Sequence, residues 1–362
     1  MYLKSINNFR GIAIILIVAV HLYIFGFSSE DKISSLIRNT ISSGTLLFVF
    51  VSGYMFHYIY YKKYNFKSFI IKKIKYVVFP YLFISSIAII YFIVTSYGYF
   101  KPISELNIEE FERVYTQKIF LPSDNKFITI LKYYLTGQIS VVYWYIPFAI
   151  LLFLCSPFHL YFVRKNTKIQ IIIILISFII SAFVHRSVFN LNPLHSLIYY
   201  TPIYLLGIFV SINSKHILKY LNNKLLILIL GTIIFSCLQV INGSEGAYTK
   251  DIFEYNGIDL QIIQKTFMIL FLYIFLERYV INSKIIDKIS ETSFAIYFLH
   301  PWIIYSLKKI YNFIGINYGS SENNILLYLF TLSLVIIISV GSALSIKFLF
   351  SKSKYTRYFI GY

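Results

Sequence analysis

The chain has 362 residues, 58% of them hydrophobic, 20% aromatic and 13% charged, with a net charge of +18. A soluble domain is closer to a quarter charged, so these values, with repeated apolar runs of about 20 residues, exclude an ordinary soluble fold and point to a polytopic helical membrane protein. The runs are continuous and do not alternate, which excludes a membrane β-barrel. Cys155 and Cys237 both lie inside apolar runs and suggest neither a disulfide framework nor a metal site.

Ten spans are expected, near residues 11–27, 44–61, 76–97, 138–160, 169–184, 197–213, 223–241, 259–277, 291–310 and 325–348. No small-x-small site follows the first run, so no cleavable signal peptide is expected. No internal repeat is visible, which gives little support to a transporter built from two related halves.

The first span contains RGIAIILIVAVH, from Arg10 to His21. Helical rise separates the two by ~16 Å, about half the hydrocarbon thickness. With Arg10 at the inner face, His21 falls near mid-bilayer, where an ionisable group is costly and a functional role is the default reading. The blander reading makes Arg10 a topological anchor and His21 a satisfied polar residue.

Ser52-Gly53 in the second span reads as close helix packing, or as a polar wall for a site. No Gly-x-Ser-x-Gly elbow surrounds Ser52, which argues against a nucleophile. Next comes the basic cluster Lys72, Lys73 and Lys75, followed by Pro80-Tyr81. It serves topology and anionic lipid, or forms a mouth for a polyanionic cofactor.

The longest outer segment, about 98–137, carries Pro102, Pro122 and the acids Glu105, Glu109, Glu110 and Glu112. Within it NIEEFERVYTQKIF reads as a short interfacial helix with Phe111, Val114 and Tyr115 on one side, a solvated flap or a lid. Tyr143-Trp144-Tyr145 near the start of span four fits an aromatic belt, or a platform for a sugar ring. His300, before Pro301, lies ~14 Å along its helix from Glu291, a depth similar to that of His21; a hydrogen-bonded core histidine beside a proline kink is the alternative. His57, His159, His185, His195 and His216 show no ligand spacing, and there is no phosphate loop, so a metal site and an ATP-driven pump are unsupported.

Basic residues orient the chain with both termini inside. On this topology the inner side holds 21 Lys and Arg against three acids, and the outer side 12 of each sign. The whole net charge is then cytoplasmic, and nucleic acid is not needed to explain it.

Taken in order, several segments resemble the acyltransferase-3 family of integral membrane O-acyltransferases. They are Arg10 followed by ten residues and His21, FVSGYMF at 50–56, KKIKYVVFPYL at 72–82, YWYIPFAILLF at 143–153, YLLGIFV at 204–210 and SFAIYFLHP at 293–301. The resemblance implies an all-α membrane bundle of about ten helices forming one domain over 1–362. No soluble C-terminal domain is expected, and the location is the inner or plasma membrane. It also implies transfer of an acyl group, usually acetyl, from cytoplasmic acyl-CoA to a hydroxyl of a cell-envelope glycan such as O-antigen, capsule or exopolysaccharide. No cofactor would be permanently bound; acetyl-CoA or another acyl-CoA is the donor, and a free or lipid-linked glycan the acceptor.

On that implication Arg10, Lys72, Lys73 and Lys75 hold the CoA phosphates. His21 acts as general base or carries the acyl group, and His300 polarises the thioester or supports His21. Ser52, Tyr143 and Trp144 face the acceptor. The family often has arginine at the three lysine positions, and lysine holds phosphate as a point charge instead of a fork. Two rivals remain: a non-enzymatic glycan exporter or flippase, and a glycan polymerase. A polymerase is expected to use outer-loop arginines, and Arg38, Arg113 and Arg186 are scattered in sequence, which counts against it.

Overall fold

A computed structural model describes residues 3–350, apart from 29–30, 102, 106–118, 122, 247 and 320–322. The acids Glu109, Glu110 and Glu112, Pro102 and Pro122, the proposed interfacial helix with Phe111, Val114 and Tyr115, and Arg113 lie outside the described residues.

The fold is an all-α bundle. Its helices are α1 (Lys4–His21), α2 (Lys32–Ile41), α3 (Gly44–Met55), α4 (Phe66–Lys73), α5 (Phe79–Val94), α6 (Lys126–Thr136), α7 (Tyr145–Leu154) and α8 (Ser156–Val163). They continue with α9 (Thr167–Val184), α10 (Pro193–Ile212), α11 (Ser214–Leu221), α12 (Leu225–Ile241), α13 (Leu260–Arg278), α14 (Lys284–Glu291), α15 (Ser293–Phe313) and α16 (Ile325–Leu349). A two-residue strand, β1 (Arg186–Ser187), pairs in parallel with β2 (Thr249–Lys250). Many helices start at an Asn, Asp or Ser whose side chain accepts from an otherwise orphaned amide: Asp31 from Ser34, Asn65 from Ser68, Asn166 from Ile169, Asn324 from Leu327.

Each of the ten expected runs coincides with helix, but not each is a simple span. Among the described residues seven helices are long and apolar enough to cross a membrane, or eight if α7 and α8, bent by 57° at Cys155, count as one crossing. The helices bearing the two histidines, α1 and α15, fall short because Lys4, Asn7, Asn8 and Arg10 in the one, and Lys308 and Lys309 in the other, lower their hydropathy. The first helix also differs in register from the expected 11–27. It begins at Lys4 and ends at His21, followed by a short 3-10 turn at Tyr23–Phe25. His21 is therefore at a helix terminus inside the bundle, not in mid-helix.

Two contacts fix the helices around that terminus. First, α3 and α10 cross at glycines: a Cβ on Gly53 would lie 2.0 Å from the Tyr204 carbonyl oxygen, and one on Gly207 would lie 2.2 Å from that of Phe50. No other residue allows such a backbone approach, the usual use of small residues between membrane helices. Second, the polar half of α1 is tied to α13 and α14. Lys4 pairs with Asp287 at 2.5 Å, Asn7 donates to the same carboxylate at 3.0 Å, and the Ser5 hydroxyl bonds Glu277. Three strongly apolar helices, α9, α12 and α16, leave most of their side chains outside the buried core, as a lipid-facing shell would.

Gly53→Ala is expected to destabilise the protein by about 1–3 kcal/mol, because backbone on the facing helix has to move. Gly341→Ala, where a Cβ meets nothing within 4 Å, should be neutral or stabilising. Thermal unfolding of both variants in detergent checks the pair; equal midpoints would show that the crossing is loose.

Candidate functional site

His21 opens onto a cavity of about 860 Å³ lined by α1, α3, the α4–α5 junction, the start of α7, the 186–190 segment and the start of α15. The cavity follows α3 from Ser43 to Tyr60, a length of ~25 Å by helical rise. Helices α1 and α3 run antiparallel along it: the Ile17 side chain meets Gly44, and the Phe9 and Phe50 rings are 5.5 Å apart. Arg10 is thus level with the middle of α3, and His21 lies a turn beyond Ile17, toward the Ser43 end. This revises the expected placement of Arg10 at the inner mouth.

Arg10 is held there by α14. Its Nε donates to the Ser290 hydroxyl at 3.1 Å and its Nη2 to the Ser290 carbonyl at 2.7 Å, and the Ser290 hydroxyl in turn donates to Asn7. The guanidinium faces the cavity wall from a fixed position.

His300 packs behind His21, with ring centroids 5.6 Å apart. It is fully buried and does not line the cavity. Pro301 cannot donate to the Tyr297 carbonyl, which loosens the helical turn, and the His300 ring folds back so that Nδ1 lies 2.8 Å from the Ile296 carbonyl. A carbonyl only accepts, so Nδ1 carries the proton. In the neutral ring Nε2 is then the lone-pair nitrogen, and it is buried without a hydrogen-bond partner among the described residues. Of the two roles expected for His300, support of His21 fits this position; direct contact with a substrate carbonyl does not, because His21 stands between it and the cavity wall.

The lysine cluster is divided by helix geometry. Lys73 lines the cavity, its Nζ 4.3 Å from the Phe153 ring centroid and 5.3 Å from that of Tyr60. Lys72 and Lys75 lie on the opposite face, in a separate surface cleft with Asn65 and Tyr76. The expectation that all three serve one mouth is corrected accordingly. Two π-helical turns, Phe56–Tyr60 and Ile74–Val78, flank the Lys73 end; such turns shift side chains off the α-helical faces and are frequent at functional sites.

Ser52 and Trp144 line the cavity. Tyr143 does not: its hydroxyl donates to the Phe298 carbonyl at 2.8 Å and accepts from Trp302 Nε1 at 2.9 Å, so it braces α15 instead of facing a substrate. Tyr145 and Tyr297 supply the other aromatic wall.

In the sequence Arg186 and Arg38 are scattered, count only against a polymerase and take no place in the expected site. Both reach the Ser43 end of the cavity, brought together through β1 and α2 although far apart in the chain. Only their meeting in space carries a signal. The described lining therefore holds Arg10, Arg38, Lys73, Arg186 and His21, and no carboxylate. Lys73 and Arg186 form no ion pair among the described residues, whereas Arg38 bonds Glu245 at 3.0 Å. Within the same set no group of three or more His, Cys, Asp or Glu could hold a metal ion.

Such a cavity suits anionic ligands. A histidine on its wall can take a proton from a hydroxyl, in surroundings that strengthen each polar contact. An acyltransferase-3 family model, described as an acyltransferase domain, matches residues 3–344. No curated protein and no solved structure matches the chain.

Proposed function

Since the chain belongs to the acyltransferase-3 family, and is on that ground a membrane acyltransferase, we propose that it moves an acyl group, in the simplest case acetyl, from a CoA thioester to a hydroxyl of a cell-envelope glycan. The observation that carries this reading is the elongated, cation-lined, carboxylate-free cavity with His21 on its wall. A CoA thioester is elongated, and its negative charge sits far from its reactive carbonyl. Lys73 holds phosphate at one end and Arg10 lies farther along the path toward His21.

In the reaction His21 takes the proton of the acceptor hydroxyl as that oxygen attacks the thioester carbonyl. The tetrahedral intermediate collapses with cleavage of the carbon–sulfur bond, the ester forms, and the CoA thiolate regains the proton from His21. His300 acts through His21, fixing its ring. With the Lys73 end cytoplasmic, as the charge asymmetry requires, donor and acceptor enter from opposite faces of the inner or plasma membrane.

Orientation is checked by cysteine labelling in intact cells. Lys72→Cys should react only with reagents that reach the cytoplasm, and Lys126→Cys should react from outside. Outside labelling at 72 would reverse the assignment.

The divided lysine cluster makes a sharper test of the donor end. Lys73→Ala should raise the apparent KM for acetyl-CoA roughly tenfold, the loss of one charge-assisted contact, while Lys72→Ala and Lys75→Ala change it little. Equal effects at all three positions would mean that surface charge, not the cavity, attracts the donor.

His21→Ala and His21→Gln should both lower glycan acylation by ~10²–10⁴, the usual worth of a general base, because an amide cannot take a proton at neutral pH. The readout is O-acyl content of surface glycan at normal total glycan. Normal acylation in His21→Gln would sink the assignment, and is the result expected if a polar lining for glycan export were all that His21 provides.

A further inference from the structure

We infer that the Ser43 end of the cavity is a second anion site, centred on Arg186, which holds a carboxylate or phosphate carried by the acceptor. The inference rests on the reading of the cavity as the place of acyl transfer. It goes further by giving the acceptor a charge.

Arg186 is only 9% exposed, lies on the cavity wall, and is within electrostatic reach of His21. Its guanidinium is aimed by neutral groups alone: Nη1 donates to the Ser43 hydroxyl at 3.3 Å and Nη2 to Asn190 Oδ1 at 3.0 Å. The Ser43 hydroxyl gives its own proton to Gln261 Oε1 at 2.5 Å, so it can only accept from the arginine. Arg186 Nε is buried with no hydrogen-bond partner among the described residues. Asp259, a buried carboxylate within electrostatic reach of Arg186, forms no direct ion pair with it; Asp259 Oδ1 caps α13 through the Gln261 and Ile262 amides, so no carboxylate oxygen occupies the guanidinium fork. A buried guanidinium costs a great deal unless something anionic meets it.

Backbone strain gathers at the same place. Five non-glycine residues among those described have positive φ, and four of them are Ser43, which bonds this guanidinium, and His185, Phe189 and Asn190 in the segment that carries Arg186. Two of the four are its own hydrogen-bond partners. Strain of this kind persists only where the surroundings impose it, and it clusters at ligand clamps. Trp144 completes the site: the Arg186 guanidinium carbon is 5.4 Å from the Trp144 ring centroid, and that ring stacks on Tyr200. A guanidinium fixed by two neutral hydrogen bonds and an aromatic face is suited to a bidentate carboxylate or phosphate. Arg38, partly neutralised by Glu245, adds positive potential at the rim.

Trp144 also reports on the site. The chain has two tryptophans, so in a Trp302→Phe background the emission of the detergent-solubilised protein comes from Trp144 alone. The probes are methyl β-glucuronide, glucose 1-phosphate and the neutral methyl β-glucoside. The expected result is saturable quenching by one or both acidic probes and none by the glucoside. Response to the glucuronide alone assigns the acceptor a carboxylate, and response to glucose 1-phosphate alone assigns a phosphate. Arg186→Gln should weaken the acidic probe by roughly ten- to a hundredfold, and Arg186→Lys by less.

The thermal unfolding midpoint in detergent serves as the folding control for both variants. Equal titration by the glucoside, or unchanged binding in Arg186→Gln, would overturn the site. So would a slower transfer rate in Arg186→Gln with every probe bound as before, since Arg186 would then act on the reacting carbonyl. Acetyl transfer from acetyl-CoA to added surface glycan, measured on wild-type membranes, tests the donor reading separately. Either experiment can fail without the other.

Discussion

Removing charge from water is the constraint to which this bundle answers. Four cations line a cavity inside a chain that is mostly apolar, and an isolated buried charge is costly enough that it must be neutralised, paired or supplied with a ligand. The helices sort accordingly. Strongly apolar α9, α12 and α16 face outward, and α1, which carries Arg10 and His21, is enclosed by α3, α14 and α15. Four polar side chains on α1 then have assigned partners: Lys4 and Asn7 at Asp287, Ser5 at Glu277, Arg10 at Ser290. Lys265 shows the same rule away from the site, donating to the Asn39 and Thr40 carbonyls at the C-terminal end of α2, where a helix presents unsatisfied acceptors.

Ending α1 at His21 follows from that enclosure. A helix terminus exposes backbone carbonyls, tolerated at membrane depth only where protein or a polar cavity receives them. The Tyr328 hydroxyl donates to the Ala19 carbonyl at 3.1 Å, and the Leu22 amide turns back to the same oxygen. The chain thereby places His21, the base of the proposed reaction, where the backbone is already polar and locally fixed. His300 stiffens the arrangement from behind, its ring bound to its own helix beside Pro301. Precision at the reacting atom thus comes from backbone contacts, which side-chain motion disturbs least.

The fold was legible because its signal is one-dimensional. Continuous apolar runs need no tertiary knowledge, and all ten coincide with helix. The pairing of His21 with His300 was approachable too, since helical rise alone gave them similar depths. What failed was the step from neighbours in sequence to neighbours in space. Lys72, Lys73 and Lys75 read as one cluster, yet on a helix only Lys73 reaches the cavity. Tyr143 and Trp144 read as one platform, yet the turn before α7 sends Trp144 to the cavity and Tyr143 into α15. Arg186 left no pattern at all, because its partners Ser43 and Asn190 come from distant segments and its position depends on a two-residue strand. The short amphipathic α14, which holds Arg10, was hidden for the same reason: its apolar face is too brief to register.

The length of the cavity has an energetic logic of its own. Two unit charges of like sign at an effective dielectric near 20 repel by ~3 kcal/mol at 6 Å but by only ~0.7 kcal/mol at 25 Å. An enzyme that binds two anions at once gains by holding their charges at opposite ends and bringing only the neutral thioester and hydroxyl together. On the proposed reading Lys73 and Arg186 mark such ends, with Arg10 level with the middle of α3 between them. The cations offset the remaining repulsion, and the acyl group that moves carries no charge. On the proposed reading, acyl transfer near His21 leaves the charge distribution at both ends unchanged, so the site does not have to reorganise its strongest electrostatic contacts during the chemical step.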